Sequence, residues 1–273
     1  MWDKVIHSWL GVPYTLHVRV DHRPKKARAT VLFLHGIGKS GAAWDEVIDK
    51  LPDNVRLVTI DLLGFGNSKQ PAWATYDAKT QARAIFATYL KLRIKGPVII
   101  VGHSLGALIA VEIAKRYPLL VKALILCCPP FYKIDETKRR MVPSADRLLK
   151  DIYRLVRRHP DEFIQITTLA TRLGLVNKSF HLTSANATSY MSALEASIIN
   201  QTSLSDALAL RIPVHILYGK LDAVVVTKNL RYLADHNNYV DLVPVLGAHE
   251  VSGSTWVNKV TDAITSQIQS DTL

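Results

Sequence analysis

The stretch Pro97-Val98-Ile99-Ile100-Val101-Gly102-His103-Ser104-Leu105-Gly106-Ala107-Leu108-Ile109-Ala110-Val111 decides the fold. Five residues ending in a β-branched apolar run read as a buried strand. The residues from Ala107 to Arg116 read as a helix. Between them stands Gly102-His103-Ser104-Leu105-Gly106, a glycine-bracketed serine at a strand-to-helix turn. A serine hydroxyl is a weak nucleophile that needs exposure, a neighbouring base and nearby oxyanion donors. A sharp strand-to-helix turn presents it in that way, and glycines on either side let strand and helix backbones approach closely. A five-residue pattern alone also occurs in ordinary glycine-rich loops. Here the strand before it and the helix after it favour the nucleophile.

Working outward, similar apolar runs recur. They are Val31 to Leu34, Val55 to Ile60, Ala123 to Cys127, Val214 to Tyr218 and Val240 to Val245, mostly separated by helix-like segments. Continuous β-branched runs alternating with helices predict a mostly parallel sheet covered on both faces, an α/β fold. Pro244 places the last run at an edge or a strand end. The alternation stops between about Pro129 and Leu210, which holds no run that reads as a buried strand. Three helices are expected there. One begins near Ser144, with an apolar stripe of Leu148, Leu149, Ile152, Leu155 and Val156. One spans Asp161 to Leu173 and stops at Gly174, and one covers much of Ser184 to Asn200. The expected division is a core of 1–130 and 211–273 with a helical cap of 131–210. The cap would cover the C-terminal edge of the sheet, where open α/β folds bind ligands.

A serine nucleophile needs a base, and the base needs an orienting acid. Asp222 follows the strand ending at Tyr218, and His249 follows the last strand. Both are expected at the same sheet edge as Ser104. A second common acid position, after the strand ending near Cys128, holds Pro129, Pro130, Phe131 and Tyr132 and offers no carboxylate. Asp222 could otherwise cap a following helix, and His249 could be one surface histidine among ten. Triad order and strand-end position favour Asp222 as acid and His249 as base. The oxyanion is expected to meet the backbone N–H of Leu105 at the helix start and that of Ile37 in the loop Leu34-His35-Gly36-Ile37-Gly38-Lys39-Ser40-Gly41.

Composition narrows the classes. The chain has 273 residues, 48% of them hydrophobic, enough for one large α/β core. No apolar run approaches the ~18 residues of a membrane span, and the first ten residues carry no secretory-signal pattern. The two cysteines, Cys127 and Cys128, are adjacent and read as reduced buried thiols of a cytoplasmic protein. The formal charge of +11 arises from basic residues scattered along the chain, without a nucleic-acid-binding fingerprint, and reads as a solvated surface. Gly38-Lys39-Ser40 echoes a phosphate loop, but Phe33 stands where that motif needs glycine. No cysteine and histidine cluster has zinc spacing, so neither metal nor cofactor is expected.

These motifs resemble those of the α/β-hydrolase superfamily of esterases, lipases and C–C hydrolases. The matching stretches are Leu34-His35-Gly36, Asp61-Leu62-Leu63-Gly64-Phe65-Gly66-Asn67-Ser68, Val101 to Gly106, the strand leading to Asp222, and Gly247-Ala248-His249. The resemblance implies Ser104 as nucleophile, Asp222 as acid and His249 as base. It also implies a helical cap between the sixth and seventh family strands and a structural role for Asp61 to Ser68. Haloalkane dehalogenases and epoxide hydrolases of this superfamily carry aspartate at the elbow, so Ser104 argues against both. The lipase-type His-Gly-Gly-Gly loop is replaced by His-Gly-Ile-Gly at 35–38.

The expected activity is hydrolysis of a carboxylic ester through an acyl-enzyme on Ser104. The expected partner is a small, largely apolar ester. Activity should rise with pH as His249 loses its proton. One alternative is cleavage of a carbon–carbon bond beside a ketone, with Arg139, Arg140 or Arg147 holding an anionic substrate group. Another is a receptor that kept the pocket and lost turnover.

Overall fold

The computed structural model describes residues 2–132, 158–172, 183, 186–199 and 201–269. Seven strands form one sheet: β1 (Val18–His22), β2 (Thr30–Leu34), β3 (Arg56–Ile60), β4 (Val98–His103), β5 (Val121–Cys127), β6 (Val214–Gly219) and β7 (Val240–Val245). Their spatial order is β1-β3-β2-β4-β5-β6-β7, and only β1 runs antiparallel to its neighbour. Every residue of β2 and β4 is buried, as continuous apolar runs require when helices cover both faces.

All the runs read as strands lie in this sheet. β1 was not among them, because Val18-Arg19-Val20-Asp21-His22 is a half-buried edge strand without a continuous apolar run. β7, which carries Pro244, forms the opposite edge. There proline's missing donor leaves no central ladder broken.

Helix α1 (Ala78–Lys91) starts at Asp77, whose carboxylate accepts the Thr80 N–H at 2.6 Å. Helix α2 (Leu105–Arg116) is buried along nearly its whole length and packs against β4, β5 and α1. The chain between β5 and β6 contributes no strand among its described residues. It carries α3 (Pro160–Arg172), then α4 (Ala187–Ala193) running into a wider π-type turn at Leu194–Ile199, then α5 (Ser203–Ala209). This is the helical insertion expected from the broken alternation. The helix expected near Ser144 and the stop at Gly174 lie outside the described residues, as do Arg139, Arg140 and Arg147. Helices α6 (Thr227–His236) and α7 (Gly253–Gln269) complete the layers.

The Asp61 to Ser68 segment is a staple for the sheet edge. One Asp61 carboxylate oxygen accepts the Gly41 N–H at 2.7 Å and the other accepts the Asn67 N–H at 2.8 Å. Ser68 donates to the Asp61 carbonyl at 2.6 Å and accepts the His17 N–H at 2.9 Å. Trp44 is core, packed on Phe33 with ring centroids 5.5 Å apart. Cys127 and Cys128 are both buried free thiols.

Candidate active site

Register carries the site residues to one edge. Leu34 pairs with Gly102, His103 with Cys127, Cys127 with Leu217, and Gly219 with Val245. Parallel strands paired in this way end together. The loops that follow β2, β4, β6 and β7 therefore open on a common rim, and they hold Ile37, Ser104, Asp222 and His249.

Ser104 sits at φ 51° and ψ −114°, a left-handed conformation that costs on the order of 1–3 kcal/mol for a residue with a side chain. Its N–H donates to the Cys127 carbonyl at 3.0 Å, which fixes the turn to β5. The bracketing glycines are required by space. A Cβ on Gly102 would stand 2.5 Å from the Gly106 carbonyl oxygen, and one on Gly106 would stand 2.3 Å from that of Leu34.

His249 lies between the other two groups. Its Nε2 is 3.1 Å from Ser104 Oγ, and its Nδ1 is 2.8 Å from an Asp222 carboxylate oxygen. The other Asp222 oxygen accepts the N–H groups of Val224 at 2.7 Å and Val225 at 3.2 Å. The same carboxylate thus ties down its own loop and holds the imidazole. Burial alone would raise its pKa. The His249 hydrogen bond, helped by the Val224 N–H and the Cys128 thiol, outweighs burial and holds it below the ordinary carboxylate range. An ionised Asp222 makes Nδ1 the donor and leaves Nε2 free to accept the serine proton.

The loop after β2 runs directly beside Ser104: a Cβ placed on Gly36 would stand 3.4 Å from Ser104 Cβ. Among the described residues, neither the Ile37 N–H nor the Leu105 N–H has a backbone acceptor. Both are candidates to meet a ligand oxygen, and the Leu105 N–H lies at the favourable end of the α2 dipole.

Ser104, His249 and Ile37 border a cavity of about 170 Å³. Its other wall is mostly apolar and comes from Pro130, Val224 and the helical insertion, through Tyr190, Leu194 and Ile198. A second hollow of about 200 Å³, lined by His7, Tyr14, Trp73 and Arg83 among others, contains none of these reactive groups. The chemistry therefore favours the smaller one.

Three further groups at this rim, Cys128, His103 and Lys39, were not expected from the sequence to take part in it. Cys128, at φ 49°, is packed against Asp222. With Asp222 and His249 it brings three potential metal-ligating atoms within 4.8 Å. Burial, with the Asp222 charge beside it, pushes its thiol well above the ordinary range, so it stays a protonated donor rather than a thiolate ligand. His103 is buried and donates from Nε2 to the His249 carbonyl at 2.9 Å. Burial, with the Lys39 charge nearby, keeps its imidazole neutral. Lys39, whose side chain is 4% exposed, is ion-paired with Glu250. Local patterns cannot show such pairings, because the partners are separated by up to 211 positions.

The family model for the alpha/beta hydrolase fold matches residues 29–252, and the chain belongs to that family. Among curated proteins, the chain is 36% identical over 136 residues to "Probable lysophospholipase BODYGUARD 2" of Arabidopsis thaliana. That match covers 48% of this chain and 28% of the relative. It is also 36% identical over 117 residues to "Lipase LipV" of Mycobacterium tuberculosis, covering 43% of each. The chain spans less than half the length of these relatives. Among solved structures, it resembles a thermophilic esterase from Thermogutta terrifontis with a TM-score of 0.71 at 22% identity, covering 93% of both chains. It also resembles the enol-lactonase from Burkholderia xenovorans with a TM-score of 0.75 at 17% identity, covering 93% of this chain and 96% of that one. At these identities the structural likeness establishes the fold. No described helix is long and apolar enough to cross a membrane.

Proposed function

We propose that this chain is a serine hydrolase of carboxylic esters, with Ser104 as nucleophile, His249 as general base and Asp222 as the orienting acid. One observation carries the reading: a single imidazole lies 3.1 Å from the hydroxyl of a serine held at positive φ and 2.8 Å from a buried carboxylate. His249 takes the proton as Ser104 Oγ bonds to the acyl carbon, and the oxyanion accepts from the N–H groups of Ile37 and Leu105. Collapse of the tetrahedral intermediate breaks the ester C–O bond, and the leaving alcohol takes the proton from His249. Water then attacks the acyl-enzyme, giving its proton to His249. The acid product leaves, and Ser104 regains the proton.

The pocket wall supports an apolar acyl group. The relatives named lysophospholipase and lipase support a fatty acyl ester in particular. Lys39, the one cation among the described lining residues, is already engaged by Glu250, which favours a neutral substrate over an anionic one. Residues 131–210 serve as the cap over this pocket, with 1–130 and 211–273 as the core. The buried free thiols support a reducing, cytoplasmic setting.

The decisive assay is turnover of p-nitrophenyl esters of increasing acyl length by the parent and by Ser104→Ala. The expected result is turnover by the parent alone, with an optimum at medium or long chains. Equal turnover by both proteins would remove Ser104 from the mechanism.

A further inference from the structure

Lys39 is the one lysine buried among the described residues. Its ammonium faces the Glu250 carboxylate, and that carboxylate belongs to the residue directly after His249. An ammonium withdrawn from water without a partner is strongly unfavourable, and an ion pair there is a weak source of stability. Its presence calls for another role. Lys39 also closes the turn that contains Ile37: its N–H donates to the Gly36 carbonyl at 3.3 Å, with Gly38 at φ 72° between them. One end of the pair is therefore fixed to the turn that presents an oxyanion donor. The other end is fixed to the loop that presents the base. Both residues border the cavity that holds Ser104.

We propose that the Lys39–Glu250 ion pair is a positioning device that locks the loop after β2 to the loop after β7, setting the Ile37 N–H and the His249 imidazole at a fixed distance across the reacting acyl group. This rests on the serine-hydrolase reading above. No bond of the strand ladder spans these two loops, because β2 and β7 are separated by β4, β5 and β6 in the sheet. The hydrogen bond from His103 to the His249 carbonyl ties the base to the elbow. The ion pair ties it to the oxyanion side.

Lys39 and Glu250 are positioning residues, so their loss should slow the chemical step rather than weaken ground-state binding. Misplacement of reacting groups by about an ångström costs about 100-fold in rate. Lys39→Met and Glu250→Gln should each lower kcat about 10- to 100-fold on a neutral short-chain ester, with KM within about threefold of the parent. The double variant should be no slower than the worse single one, because both remove the same tie. Lys39→Arg should recover most of the rate. Should Lys39→Met fail to fold, Glu250→Gln carries the test, since Glu250 is 31% exposed and tolerates an uncharged isostere.

A second readout needs no knowledge of the substrate: the rate at which a fluorophosphonate probe labels Ser104. Parent labelling that slows in Lys39→Met and Glu250→Gln, and recovers in Lys39→Arg, is the expected result. Parent-rate labelling and turnover in the variants, with only a lower Tm, would reduce the pair to a structural staple while leaving the serine-hydrolase reading intact. A rise in KM confined to anionic esters would make Lys39 a substrate-reading group and overturn the positioning role. A parent that is not labelled at Ser104 would bring down the hydrolase reading and the proposal together.

Discussion

The rim of strand ends and the helical insertion above it are built on different terms. At the rim, Ser104, Asp222 and His249 each follow a strand whose register is fixed by its neighbours. His249 holds hydrogen-bonding contacts to Ser104 at 3.1 Å on one side and to Asp222 at 2.8 Å on the other. The insertion meets the rim through side-chain surfaces of Tyr190, Leu194 and Ile198. Polar ties add to them, such as the Ser197 hydroxyl donating to the Tyr76 carbonyl at 3.0 Å and the Gln201 amide donating to that of Pro130 at 2.8 Å. A backbone ladder fixes geometry far more tightly than apolar contact does. The rim is thus suited to hold a reaction constant while the wall above it changes with the substrate.

Breaking the rim should give the largest effects. Ser104→Ala is expected to lower turnover by about 10⁵- to 10⁶-fold, measured on the best p-nitrophenyl ester, as removal of a triad nucleophile does. Asp222→Asn should lower kcat by about 10⁴-fold, because the amide no longer fixes Nδ1 as the donor. A loss under tenfold would mean that another carboxylate orients His249.

Altering the wall should sharpen the contrast in the other direction. Leu194→Ala and Ile198→Ala are expected to shift the preferred acyl length, with about a 10-fold change in relative kcat/KM per pocket. Turnover of the shortest ester should change little. A uniform loss across all chain lengths would show that the insertion helps to position the catalytic groups, erasing the distinction between the two regions.

The smallest effect concerns pH and stability. His35 donates from Nδ1 to the Gly36 carbonyl at 2.8 Å and accepts the Leu62 N–H on Nε2 at 2.9 Å. Burial pushes its pKa down to about 4, and a protonated ring would lose the Leu62 bond. The unfolded chain, with an ordinary histidine near pH ~6.5, then binds more protons than the folded one across that interval. Stability is therefore complete above about pH 6.5 and declines as pH falls toward about 4. The Tm of the parent should drop over this range, and His35→Gln should flatten part of the slope. An unchanged slope would assign the acid sensitivity to other groups, His103 first among them.

Much of the rim could be read from the linear chain. Buried strands announce themselves as Val31 to Leu34 or Val98 to Val101, and a serine between Gly102 and Gly106 has few other uses at a strand-to-helix turn. Asp222 and His249 were legible because each follows such a run. β1 was not, since none of its five residues is fully buried and Arg19, Asp21 and His22 interrupt the apolar pattern of Val18 and Val20. Basic charge is a second case. It looks scattered along the chain, yet the fold gathers Arg23, Lys25, Arg28, Arg56, Arg93, Lys95 and Lys122 around one hollow. Asp21 holds Arg23 and Arg56 there.

The linear chain alone carried the α/β class, the positions of Ser104, Asp222 and His249 after successive strands, and the need for glycine on both sides of Ser104. These depend on local periodicity and on steric limits within a few residues, which the order of amino acids encodes directly. Only the tertiary structure decided which strand ends meet, that Cys128 lies against Asp222, and that Lys39 finds Glu250 across the site. Those depend on strand register and on contacts between residues far apart in the chain. No local pattern specifies such a contact until the sheet has closed around it.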